Sequence, residues 1–149
     1  MRLVLSIFIF ALTAVLSLTC VGCNEVQRKH FQSLDKAQEE QMINKGWIPN
    51  FTPEDAKDIY IEGDLDAASA YGSYVSSNTD ALKKQCSNVE DSFPIPSYGP
   101  KWFRADLQEA DTAGKLRSKG YEILHCDKEE FNVAIFSPSQ HIYYWSVRK

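Results

Sequence analysis

The sequence predicts an α+β domain, in which an N-terminal helix precedes an antiparallel sheet that ends in a three-stranded meander. Two observations carry that class. The segment from Phe31 to Lys45 is rich in Gln, Glu, Lys and Ala, and Gly46 is placed to end a helix. The last thirty residues hold three strand-like runs, YEILHC, FNVAIF and HIYYWSV, separated only by DKEE and SPSQ.

Taken in order, the helix Phe31 to Lys45 has a narrow apolar stripe, chiefly Phe31, Leu34 and Met42, which suits packing at the edge of a domain. Thr52 is placed to cap a short second helix, with Pro53 in its first turn and Glu54 and Asp55 complementing its N-terminal dipole. IYIE then alternates as a strand, GDLD turns, and ASAYGSYVS reads as a second strand. NTDALKKQC reads as a helix that brings Cys86 to its end. From Ser87 to Gly120 regularity is lost. Pro94, Pro96 and Pro100 lie within seven residues and exclude helix or central strand there, while RADLQEADTAGKLRSKG has room for helical turns.

The N-terminus carries the strongest functional signal. Arg2 is followed by an almost unbroken apolar run from Leu3 to Thr19, and Asn24-Glu25 opens a polar chain, which is the form of a secretory leader. Length alone leaves a retained membrane span open, because the run sits at the lower edge of what crosses about 30 Å of hydrocarbon. Val21-Gly22-Cys23 resembles the lipobox of bacterial lipoproteins, in which the Cys is lipidated and becomes the new N-terminus. Cys20 stands where that motif usually has Leu. The resemblance implies lipidation at Cys23, with Cys20 the alternative, and Asn24 in place of Asp leans toward the outer membrane. The expected division is a leader over 1–22, a tether over 23–30 and one α+β domain over 31–149.

Removal of the leader takes away only Arg2 among the charges, leaving 15 basic against 20 acidic residues. Such a chain is a poor partner for phosphate backbones, so nucleic acid is set aside. If Cys20 leaves with the leader and Cys23 carries lipid, Cys86 and Cys126 remain, and a leftover pair in an exported protein reads as a disulfide. Two buried free thiols are the alternative.

Candidate chemistry is sparse. Glu62, Asp64 and Asp66 lack the order of a calcium loop and read as turn residues, so no metal is expected. Ser73 lacks the glycines of a nucleophile elbow. His125 or His141 could serve a small envelope hydrolase, but Cys126 would not be a nucleophile if bonded to Cys86. No phosphate-cradling loop or paired catalytic carboxylate motif appears, so neither a cofactor nor an enzyme is expected. Tyr and Trp suit interfaces but also fill small cores, and core is the default reading for them here; where a face is left open, Trp47, Trp102, Phe103 and Tyr144 are the candidate binding surface.

At GWIP, AKDIYIEGDLD and the closing YEILHC, FNVAIF and IYYW runs, the chain resembles the YbbD head domain family of small bacterial lipoproteins, over about Gly46 to Trp145. Trp47-Ile48-Pro49, Asp58-Ile59 and Asp64-Leu65-Asp66 carry the likeness. Members often show Trp-Trp-Pro in the irregular segment, where this chain has Trp102, Phe103 and Arg104. The resemblance implies one compact α+β domain anchored in the envelope and supplies no catalytic or binding residues. The expectation is therefore a lipid-anchored binding module at a periplasmic membrane face, held by its anchor and recognising an envelope protein. An immunity-type inhibitor of an envelope-targeting toxin and the small hydrolase are the alternatives.

Overall fold

A computed structural model of the protein describes residues 26–64, 69–95, 99–128 and 130–147. The leader expected over 1–22 and the lipidation expected at Cys23 lie outside these. The described residues form seven strands: β1 (Val26–Ser33), β2 (Lys57–Asp64), β3 (Ser69–Val75), β4 (Ser87–Asn88), β5 (Tyr121–Cys126), β6 (Phe131–Phe136) and β7 (His141–Val147). They make one antiparallel sheet in the order β1-β2-β3-β7-β6-β5-β4. Helices are short: α1 (Leu34–Glu39), α2 (Asp80–Gln85), α3 (Ala105–Glu109) and α4 (Ala113–Arg117). The architecture is therefore strand-rich, which overturns the expected α+β class with its N-terminal helix.

The largest correction falls at the start. Val26 to Ser33, expected as tether and first helical turn, is strand β1, paired with β2 from Val26↔Asp64 to Ser33↔Lys57. Only Leu34–Glu39 is helical, and Gln41, at φ 60°, turns the chain out of it. The apolar stripe of Phe31, Leu34 and Met42 is buried all the same, but from a strand, a helix and a turn in succession. A weakly helical sequence yields here to a complete ladder with a strand far along the chain. The Gln- and Lys-rich composition could not report that partner. The Thr52 helix is also absent: the Thr52 hydroxyl donates to Pro49 O at 2.7 Å, and the segment to Ala56 is a run of turns.

Other elements follow the sequence. β2 and β3 form a hairpin, α2 ends at Cys86, and β5, β6 and β7 pair as a meander. Each strand alternates, so the sheet has two apolar faces. On one, Ile59, Ile61, Tyr74, Val133, Ile142 and Tyr144 are covered by α1, the turns from Met42 to Ala56, and α2. On the other, Tyr121, Ile123, Ala134, Tyr143 and Trp145 are covered by the irregular segment that carries Phe103, Leu107 and Leu116.

Two glycines fix how closely the first cover approaches. Gly72 lies opposite Tyr144 on the neighbouring strand, and a Cβ built there would stand 2.0 Å from the Tyr144 ring. Gly63 leaves the same kind of room for Trp47, whose indole would meet a Cβ at 2.8 Å. Tyr144, wholly buried, then donates its hydroxyl to Trp47 O at 3.0 Å. Asp55 fastens the other end of this cover by accepting from the Ser76 hydroxyl at 2.5 Å and from Ser77 N at 2.9 Å.

Cys86 and Cys126 form a disulfide across 40 residues, joining the end of α2 to the end of β5, next to the Ser87↔His125 pair. Closing a loop of that length restricts the unfolded chain by about 4 kcal/mol in the loop-entropy account. Reduction should therefore lower unfolding stability by up to about 4 kcal/mol, read as a shifted urea midpoint with the gain of two reactive thiols. Gly72→Ala should cost more than about 2 kcal/mol by overpacking. Adding Tyr144→Ala should make the double variant less destabilised than the sum of the single effects. Additive costs would show that the ring and the glycine do not constrain each other.

Candidate functional site

The second cover stops short of β1 and β2, and that leaves part of a sheet face open. Strand alternation puts Ile59 and Ile61 into the core and turns Tyr60 and Glu62 outward. On β1 the same alternation turns Arg28 and His30 outward, opposite Glu62 and Tyr60. The His30 and Tyr60 rings stack at 4.0 Å and 12°, and Trp102 leans on Tyr60 at 6.3 Å. Glu62 joins the parts: one carboxylate oxygen accepts from Arg28 Nε at 2.6 Å and from Trp102 Nε1 at 3.1 Å.

A bulge in β2 shapes the far side of this patch. Between Lys57 and Tyr60 the register against β3 shifts, and Asp58 takes φ 54°. Bulges re-aim side chains, and the Asp58 carboxylate here meets His30 Nε2 at 2.7 Å. Its charge also reaches His141, which lies on β7 with its ring stacked on Tyr143 at 4.6 Å and 8°. Two imidazole-on-phenol stacks thus flank one carboxylate. Burial holds the His141 pKa below the ordinary 6.5, Asp58 works against that shift, and Arg104 adds to it. His141 Nε2 is buried without a hydrogen-bond partner among the described residues.

Beside the patch, Arg104 lies over the Phe136 ring at 4.4 Å and bonds Asp106 at 3.1 Å, while the Tyr121 hydroxyl donates to Asp106 at 2.9 Å. Burial opposes ionisation of Asp106, but the bonds from Arg104 and Tyr121 outweigh it and keep its pKa below the usual carboxylate range.

The aromatic residues expected to form a binding surface divide. Tyr144 and Trp47 are core, fixed against Gly72 and Gly63. Phe103 is buried too, edge-on to Trp102 at 4.7 Å and to Tyr143 at 5.4 Å. Trp102 alone of the four keeps a partly open position. Residue type offers these side chains to core and interface alike, whereas burial depends on which face of which strand each occupies. Tyr60, His30 and Asp58 were missed as site residues. Alternation in IYIE was the signal for Tyr60, while His30 was hidden by assignment to the tether.

His125 is held at both ring nitrogens, with Nδ1 2.8 Å from Asn132 Oδ1 and Nε2 2.9 Å from Asp127. Ser73 is buried. Asp66 lies outside the described residues. No group of three His, Cys, Asp or Glu among the described residues is arranged to hold a metal ion. No described helix is long and apolar enough to cross a membrane.

Residues 25–75 match the YbbD head domain family. This segment is YbbD head-domain-like. It contains β1, α1, β2 and β3, hence Arg28, His30, Asp58, Tyr60 and Glu62. The resemblance was expected over Gly46 to Trp145; the match instead reaches back to residue 25 and stops before the closing meander. No curated protein and no solved structure matches the chain.

The electrostatics of His141 give a signed expectation. Its folded pKa is depressed, so below about pH 6.5 the unfolded chain binds more protons than the fold. Stability is then full above that pH and declines as pH falls from there through the folded pKa. His141→Gln should flatten the change in urea midpoint between about pH 7.5 and about pH 5.5. An unchanged slope would show that the ring is not desolvated.

Proposed function

We propose that the protein is an envelope-associated binding module, held by lipid at Cys23 and facing the periplasm. An apolar leader that closes on Val21-Gly22-Cys23, the Cys86–Cys126 disulfide and the YbbD head-domain-like segment support this reading. Disulfides persist in oxidising compartments, and two acyl chains hold a protein stably where one does not.

The observation that carries the binding role is Tyr60. It is 41% exposed, the one large hydrophobic side chain so exposed among the described residues. It stands between His30 and Trp102, with carboxylates at Asp58 and Glu62 beside it. Aromatic area with a polar tip, ringed by charged groups that already have partners, is the composition of a protein-contact centre. A small envelope hydrolase is the second reading, favoured by the unpartnered His141 Nε2. It narrows to that residue, because both ring nitrogens of His125 are engaged.

Intact mass of the mature protein tests the anchor: the chain should begin at Cys23 and carry diacylglyceryl, and a product that retains Met1 ends the anchored reading. Crosslinking in whole cells tests the module. Tyr60→Ala should lose a contact of about 2 kcal/mol or more, about thirtyfold in affinity, while the urea midpoint stays near wild type. His141→Ala should leave the crosslinked partner in place, whereas an enzyme would lose turnover of envelope material.

A further inference from the structure

The patch and the proposed anchor are joined through a strand, and that limits how far from lipid the patch can stand. β1 begins at Val26, three residues after Cys23, so the covalent path between them spans at most about 10 Å. From Val26 to His30 the strand adds about 13 Å. No slack enters along it, because β1 is paired with β2 at nearly every residue and each of its basic side chains is tied to an acid of the domain. Arg28 bonds Glu62, Lys29 bonds Glu40 and His30 bonds Asp58. His30 in turn lies against Tyr60.

We propose that the His30, Tyr60 and Trp102 patch contacts the outward surface of an integral protein of the same membrane that holds the anchor, no more than about 25 Å above the headgroups. This rests on the anchored-module reading and adds a partner class to it. Whatever the tilt of the domain, a seven-residue path from Cys23 cannot carry His30 farther, so partners standing well above the bilayer are out of reach. Charge argues against lipid as the contact. The basic residues of β1 are neutralised within the domain, and the chain after the leader carries 15 basic against 20 acidic residues, so anionic headgroups offer it no attraction. The exposed Tyr60, an aromatic ring with a polar hydroxyl, suits a protein surface of mixed apolar and polar character instead.

The test uses the full chain in its own cells, with a photo-crosslinking phenylalanine analogue at position 60 and, as control, at the exposed Lys119, which precedes β5 toward the opposite edge of the sheet from β1. The expected product from position 60 resists carbonate washing, leaves the membrane only in detergent, and exceeds the control product at least tenfold. A product with a washable protein, with glycan or with lipid alone overturns the proposal, as does no product. The height limit is read separately on acylated protein in phosphatidylcholine and phosphatidylglycerol vesicles, by energy transfer from a dye on Tyr60→Cys to a headgroup dye. Stronger transfer than from Lys119→Cys is expected, and equal or weaker transfer overturns the proposal. Intact mass of the same sample reports acylation at Cys23, so failure of the anchor is told apart from failure of the partner class.

Discussion

The Tyr144 ring lying over Gly72, with its hydroxyl on the Trp47 carbonyl, is the contact on which the two halves of the chain depend. β3 closes the N-terminal set of strands and β7 closes the C-terminal meander, and the single sheet exists only because these two pair. A bulky aromatic in the middle of that seam needs a residue without a side chain on the adjacent strand. The same arrangement recurs one strand along, where Gly63 admits the Trp47 indole. Together they let a loop without regular structure seal one sheet face at close-packed distance, which helices of five or six residues could not do alone.

The opposite face is sealed less completely, and the candidate site is the part left over. Phe103 and Trp145 close it over the meander, and Trp102 reaches only to the Tyr60 and Glu62 positions of β2. Beyond that boundary the sheet carries polar and aromatic side chains whose charges are matched pairwise, Arg28 with Glu62 and His30 with Asp58. Exposed pairs of this kind contribute little stability each. Their effect is positional: His30 held by Asp58 keeps its ring against Tyr60, and Glu62 held by Arg28 keeps its carboxylate under the Trp102 indole.

Legibility in the sequence followed the range of the interactions. The hairpin, the Cys86 helix and the meander were readable because alternation and turn residues are local. β1 was not, because Val26 to Ser33 has no strong strand composition and becomes a strand through residues 57 to 64. The same gap hid most of the site. His30 was placed in a tether, and Asp58 shows its orientation only through a bulge and a positive φ. For Trp47, Phe103 and Tyr144 the sequence leaves core and surface both open, because residue type alone does not say which face of a strand is covered.

By itself, then, the sequence determined the apolar run that begins at Leu3, the acidic balance, the strands of the second half and, in Cys86 and Cys126, the two cysteines that pair. Tertiary structure alone decided that Val26 to Ser33 is an edge strand, that Trp47, Phe103 and Tyr144 are core, and that Tyr60 with His30 and the partly buried Trp102 forms the open patch. The physical reason is that alternation and turn chemistry act within a few residues, whereas strand pairing and face coverage are settled by partners tens of residues away.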